Sequence, residues 1–141
     1  MREILYRAIS LCKGEHWLYG QPRHYARNPH TEKWTIYDPK TGIETDIVPE
    51  TLGEYSEISD KESNPIYEDD IVKVESLQPD TFGKECICMV IYEEGCFWLK
   101  RTDKPQVKQT LRMAELENNI EIIGNIHDNP ELLKGATDER N

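Results

Sequence analysis

The chain has 141 residues, 37% hydrophobic and 31% charged, with 17 basic and 27 acidic side chains and a net charge of -10. That length suits one domain with an ordinary core, and twelve aromatics (3 Trp, 7 Tyr, 2 Phe) argue against disorder despite a mean hydropathy of -0.74. No apolar run is long enough for a membrane-spanning helix, and Arg2, Glu3 and Arg7 interrupt the start, so no secretory signal is expected.

In chain order, Ile4–Ser10 reads as a strand, Lys13-Gly14 as a turn and Trp17–Tyr19 as a short aromatic strand. Residues 21–32 hold Pro22 and Asn28-Pro29 without apolar periodicity and read as a loop. Trp34–Tyr37 and Ile43–Val48 are strands joined by Asp38-Pro39-Lys40-Thr41-Gly42, where Pro suits a turn and Gly42 can take positive φ. Pro49 ends that strand, and Thr51–Ile58 can pair again. Asp60–Pro65 is a polar turn, and Ile66-Tyr67 leads through Glu68-Asp69-Asp70 into a strand at Ile71–Val74.

Gln78–Gly83 is a loop. Lys84–Tyr92 and Cys96–Lys100 form a hairpin around Glu93-Glu94-Gly95. In its first arm Cys86, Cys88, Val90 and Tyr92 share one face and Ile87, Met89 and Ile91 the other. With both faces apolar, that strand should be central and covered on both sides. Residues 102–110 read as polar loop, Leu111–Asn118 as a short helix facing inward through Leu111, Ala114 and Leu116, and Glu121–Ile126 as a strand interrupted by Gly124. Asp128 or Asn129 can cap a last turn from Pro130, with Leu132 and Leu133 docking inward. The expected fold class is all-β, small antiparallel sheets with one or two short helices. Residues 1–135 form a single β-rich domain with a soft internal boundary near 60–65, and 136–141 form a flexible tail.

Charge is uneven: residues 1–41 carry +3, 42–75 carry -9 and 76–141 carry -4. A net acidic chain without a basic stripe is a poor nucleic-acid or anionic-membrane binder. Cys86 and Cys88, two apart on one strand face, are poorly placed for a mutual disulfide, and with Cys96 they do not reproduce paired zinc knuckles. They read as free thiols of a reducing cytoplasm, with no metal or other cofactor implied. Glu68, Asp69 and Asp70 could bind a hard cation or work as acid and base, but successive strand residues point apart, and Asp70 reads more simply as a turn residue bonding its own backbone. Arg23, His24, Tyr25, Arg27 and His30 sit in the expected loop, where the two arginines could hold an anion, yet no nucleophile has an adjacent base. Trp17, Tyr19, Trp34, Tyr37 and Trp98 lie on or beside strands. They read as β-core filling with some aromatics at a subunit contact, since the acidity disfavours a base-stacking platform.

Several blocks carry a family resemblance: Arg2-Glu3-Ile4-Leu5-Tyr6-Arg7, Trp17-Leu18-Tyr19-Gly20, Val48-Pro49-Glu50-Thr51-Leu52-Gly53-Glu54-Tyr55, Asp60-Lys61, Ile66-Tyr67-Glu68-Asp69-Asp70-Ile71-Val72, and Ile122-Ile123-Gly124-Asn125-Ile126-His127-Asp128-Asn129-Pro130-Glu131-Leu132-Leu133. Together and in order they resemble the YopX family of small phage and prophage proteins. The resemblance implies a β-rich fold whose second half is similar to an SH3-like barrel, and a cytoplasmic setting in a bacterial host. It implies no reaction, cofactor or catalytic residue. The family pattern has Gly at position 69 and Asn-Gly within the 62–64 turn, so Asp69 and Glu62-Ser63-Asn64 imply altered turn geometry, with Asn64 as a partial substitute.

The reading is a non-enzymatic accessory protein acting by contact with other proteins of host or phage and with itself as a homo-oligomer. Its candidate interaction surface is Trp17, Tyr19, Trp34, Tyr37, Glu68, Asp69 and Asp70. One alternative is an acidic decoy for a basic, nucleic-acid-binding surface, resting on the charge of residues 42–75. Another is a small metal-dependent hydrolase using Glu68, Asp69, Asp70 or His24. A nucleic-acid reader would need a basic face, and only residues 1–41 are net positive.

Overall fold

A computed structural model describes residues 5–12, 16–26 and 32–133. The chain forms β1 (Tyr6–Ile9), β2 (Trp17–Ala26), β3 (Glu32–Asp38), β4 (Ile43–Asp46), a 3-10 turn at Pro49–Thr51, β5 (Gly53–Ser59), β6 (Pro65–Tyr67), β7 (Asp70–Ser76), β8 (Glu85–Glu93), β9 (Cys96–Arg101), β10 (Lys108–Thr110), α1 (Leu111–Glu117) and β11 (Asn118–Asn125). Hydrogen bonds order the strands β4-β3-β2-β1-β5-β6 and β10-β9-β8-β7-β11, antiparallel throughout the recorded registers. The all-β class therefore holds. The chain divides into two compact units, 1–55 and 56–141. The Lys13-Gly14 turn, Asn28-Pro29 and the 136–141 tail lie outside the described residues.

In the first unit β2 changes partner midway. Trp17–Gly20 pair with β1, whereas Gln21–Ala26 pair with β3. The loop expected at 21–32 is thus, up to Ala26, a continuation of β2. Over this stretch β3 is its one neighbour among the described residues, and an edge strand tolerates the missing N–H of Pro22. Gly20 makes the handover possible, because a Cβ there would lie 2.0 Å from the Tyr37 carbonyl oxygen. The β3–β4 turn forms as its residues dictate. Gly42 has φ 77° and donates its N–H to the Asp38 carbonyl at 2.8 Å, while the Asp38 carboxylate accepts from Lys40 N–H at 2.9 Å. Ala8, Ile36 and Ile47 form a small core, with Tyr6, Leu18, Trp34 and Leu52 packed against it.

In the second unit β7, β8 and β9 form a meander extended by β10, and β11 returns to pair with β7. This establishes a five-stranded antiparallel sheet; the likeness to a barrel remains an expectation of the resemblance. Residues 102–110 are not all loop, since Lys108–Thr110 pair with Trp98–Lys100. A three-residue polar strand carries too little periodicity to be read locally. The core gathers Ile58, Ile66, Val72, Val74, Cys88, Val90, Leu99, Leu111, Ala114 and Ile120. β8 is central, but only its Cys88–Val90 face is buried; Ile87, Met89 and Ile91 are half-buried and Tyr92 is exposed. α1 begins with the Thr110 hydroxyl accepting from Met113 N–H. It buries Leu111 and Ala114, one turn apart, while Leu116 is 67% exposed rather than inward. In β11 a bulge falls between Ile122 and Gly124, close to the expected interruption.

Asp60 organises the turn before β6. Its Oδ1 accepts from the N–H groups of Glu62 and Asn64 at 3.0 and 2.9 Å, and its Oδ2 from Ile122 N–H in β11 at 3.1 Å. Beside it Lys61 N–H donates to the Ile120 carbonyl at 2.9 Å, so this turn closes part of the free edge of β11. Burial pushes the carboxyl up, but backbone donors led by Asn64 and Ile122 outweigh it and hold the group below its usual range. The turn also corrects the expectation drawn from the family pattern. Left-handed geometry is kept at Ser63 (φ 68°) and Asp69 (φ 75°) without glycine, and it falls on Ser63 rather than Asn64. Surrounding hydrogen bonds enforce it: Ser63 N–H donates to the Asp60 carbonyl, Asp69 N–H to Val90, and Ile126 N–H to the Asp69 carbonyl, at 2.8–3.0 Å.

Two consequences follow for stability. Gly20→Ala should destabilise by at least about 2 kcal/mol, because the methyl meets backbone rather than a movable side chain, read as a lowered denaturation midpoint. Asp60→Ala should cost about 2–4 kcal/mol at neutral pH by leaving buried N–H groups unpaired. Because the folded carboxyl titrates below the unfolded one, its contribution is complete above about pH 4 and fades as pH falls through the folded value. Urea melts of wild type and Asp60→Asn should therefore converge in acid; a constant gap down to the lowest accessible pH would contradict the assignment.

Candidate functional site

The sequence-derived surface residues fall in both units, and each unit is described alone. In the first, Trp17 and Tyr19 share a face of β2, and the Arg7 guanidinium lies 4.4 Å from the Trp17 ring centre. Trp34 and Tyr37 are three residues apart on β3 and point to opposite faces. Trp34 packs against the small core, whereas Tyr37 carries the Arg23 guanidinium 4.2 Å above its ring. The four aromatics thus form no single platform.

At Tyr25 and Ala26, opposite Lys33 and Glu32, the β2–β3 pair is a two-stranded ribbon among the described residues, whereas Thr35, opposite Arg23, still pairs with Asp46 of β4. Among the described residues Arg23–Ala26 have only β3 beside them, and Glu32 and Lys33 only β2. Two-stranded ribbons are marginal alone, and side chains brace this one. Glu44 accepts from Thr35 Oγ1 (2.5 Å), Tyr25 Oη (2.7 Å) and Arg23 Nη1 (3.3 Å). The Thr35 and Tyr25 bonds, followed by the Arg23 charge, hold its carboxyl below the usual range. On the opposite face His24 stacks on Trp34 at 4.2 Å, and both reach Glu32 Oε1, at 2.7 Å from His24 Nε2 and 3.1 Å from Trp34 Nε1. His24 and Tyr25, expected in a loop, are strand residues; Arg27 and His30 lie outside the described residues.

In the second unit Glu68, Asp69 and Asp70 do not converge. Asp70 is 1% exposed and its Oδ2 accepts from Tyr67 N–H at 2.8 Å, the turn role read from sequence. Asp69 turns instead to His127, with Oδ2 3.1 Å from Nε2. This pair spans 58 positions and has no local signal.

Two thiols that the sequence reads as small apolar residues meet on β8. Cys86 and Cys88 lean together on β8 with Sγ atoms 3.8 Å apart, and both line a cavity of about 140 Å³ with Leu99, Arg101, Gln109 and Ala114. The Cys88 contact pulls the Cys86 thiol down to about 7, against burial and with help from the Arg101 charge. The same contact, with burial, pushes the Cys88 thiol up. Asp103 clamps Arg101 by two bonds, at 3.0 Å from Nε and 2.7 Å from Nη2. No cluster of three His, Cys, Asp or Glu able to hold a metal occurs among the described residues, and no helix there is long and apolar enough to cross a membrane.

The family model for the YopX protein matches residues 5–134. The chain belongs to the YopX family. Its fold is similar to that of the crystal structure of protein yopX from Bacillus subtilis, with a TM-score of 0.54 and 21% identity, covering 91% of this chain and 96% of the other. At that identity the likeness concerns the fold alone. No curated protein matches the sequence.

Within this YopX-family chain, the thiols read from sequence as inert because spacing shows only that two side chains share a face. Their approach to Arg101 depends on β9 lying beside β8. Alkylation of Cys86 by iodoacetamide, followed by peptide mass spectrometry, should rise with a midpoint near pH 7. Cys88→Ala should move that midpoint up toward about 8.5, the ordinary thiol value. A midpoint at the ordinary value, indifferent to the substitution, would refute the pairing.

Proposed function

We propose that this chain is a phage- or prophage-type accessory protein of the bacterial cytoplasm that works by protein contact rather than catalysis, with a second copy of itself as its first partner. The observation that carries this reading is the β2–β3 ribbon. Its β2 edge has no neighbour over Arg23–Ala26 among the described residues. One face of the ribbon presents Tyr25, 44% exposed, and the other half-buried Trp34 under the exposed imidazole of His24. An uncovered strand edge pairs readily with another strand, and a symmetric pair of like edges closes as a two-fold dimer. Aromatic side chains backed by arginine are the residue types that contribute most to such contacts. Lys33 and Asp46, in an ion pair of 3.5 Å, supply a polar rim.

Light scattering over a concentration series tests the proposal. Wild type should associate to a dimer in the micromolar range, and Tyr25→Glu, which brings like charges together across a two-fold contact, should return it to monomer while circular dichroism and the melting temperature show a folded chain. A wild type monomeric into the hundreds of micromolar would overturn it.

A further inference from the structure

We propose that Cys86 is a site of reversible S-thiolation, taking one half of a small, carboxylate-bearing disulfide into the cavity beside α1 and holding it as a mixed disulfide. Cys86 is half-buried and, with Cys88, lines a cavity of about 140 Å³. At about 30 Å³ per water, that is room for about five atoms of that size, which suits the few carbons and the carboxylate of a small thiol. Strand register puts one cation beside the sulfurs. Cys88 pairs with Arg101 and Val90 with Leu99, so Arg101 shares the thiols' face of the sheet. Lys108 also borders the cavity, but its ammonium lies 4.7 Å from the centre of the Trp98 ring, and Trp98, next to Leu99 on β9, points to the opposite face. Asp103 fixes the Arg101 guanidinium through Nε and Nη2, and among the described residues Nη1 keeps its donors for an incoming carboxylate.

The neighbouring thiol prepares Cys86 for attack. Cys88 is kept protonated by this contact and by burial, and its S–H points its proton at Cys86 across 3.8 Å. With the Arg101 charge beside it, Cys86 is the sulfur that ionises. Its thiolate attacks one sulfur of the disulfide. The Cys86–sulfur bond forms as the reagent's own S–S bond breaks, and the electron pair leaves on the other half, a thiolate that takes a proton from solvent. Cys86 is oxidised and half of the reagent reduced, so the disulfide itself is the oxidant. The second thiol of a pair ordinarily displaces such an adduct by closing a disulfide. Here strand geometry forbids it. Residues two apart on a strand are separated by about 6.6 Å along it, whereas a disulfide needs Cβ atoms about 3.8 Å apart. β8 is paired on both sides, by β7 and by β9, so it cannot buckle to close that gap without breaking ladder bonds. The adduct therefore persists until an external thiol removes it.

The test treats the reduced full-length chain at neutral pH with dithiodipropionate, which is anionic, or cystamine, its cationic counterpart, and follows each cysteine by peptide mass spectrometry. Cys86 should form the mixed disulfide with both, faster with the anionic reagent although the chain carries a net charge of -10. Arg101→Gln, shown to be folded by its thermal melt, should lower the anionic-to-cationic rate ratio at Cys86 by at least about fivefold, the effect of one unit charge at about 4 Å in water. In the unaltered chain about 1 M salt should compress the same ratio, which decides the matter even if the variant is unstable. After the reagent is removed the adduct should remain on Cys86, and a reducing thiol should release it. Cys86 left unmodified while exposed Cys12 reacts, a preference for cystamine at Cys86, a ratio indifferent to both Arg101→Gln and salt, or conversion of the adduct into a Cys86–Cys88 crosslink would overturn the proposal.

Discussion

The backbone of an extended strand leaves a row of donors and acceptors on each side, and every such row must be paired, closed off or left to a partner. Much of this chain's architecture answers that requirement. β11 has β7 on one side, and on the other the 60–64 turn supplies the Lys61 N–H to Ile120 and the Asp60 carboxylate to Ile122. A buried carboxylate is costly unless bonded, and three backbone N–H groups bond this one. One side chain thus shapes a turn and closes a sheet edge.

The same requirement explains what is left open. β2 exchanges β1 for β3 at Gly20, where no side chain fits, and from there its other edge has no strand beside it among the described residues. Glu44 and Glu32 brace the ribbon from opposite faces, each gathering donors from β2 and β3. The braced ribbon is ordered in advance, which lowers the ordering cost of any contact made along it. Strand geometry likewise sets the chemistry of Cys86 and Cys88. A central strand holds the sulfurs near each other and keeps them from bonding, so their proximity is expressed in the lowered Cys86 thiol rather than in a crosslink.

Several positions show how local chemistry and tertiary context divide the work. The 38–42 turn was legible because Asp38, Pro39 and Gly42 carry its geometry in their own side chains and φ preferences. Asp70 was legible for the same reason, its carboxylate accepting from a backbone N–H three residues away. Pro22 misled, because a proline read locally signals a break, whereas on an edge strand its missing N–H costs nothing. Leu116 misled because helical spacing alone does not say how wide a face the neighbouring sheet covers, and here Leu111 and Ala114 fill it. At Ser63 and Asp69 the loss of glycine implied altered turn geometry, yet bonds donated to the Asp60 and Val90 carbonyls and accepted from Ile126 N–H stabilise the left-handed backbone without it.

By itself the order of residues determined an all-β chain with one or two short helices, its hairpin turns and its family, because alternation, turn chemistry and motif order are properties of neighbours along the chain. Only the tertiary structure decided that β2 outruns its first partner, that Asp69 meets His127 and Asp60 meets Ile122, and that two thiols share a cavity with Arg101. Those pairings join positions up to 62 residues apart, and which distant segments meet is settled by the register of the sheets and the burial of their apolar faces.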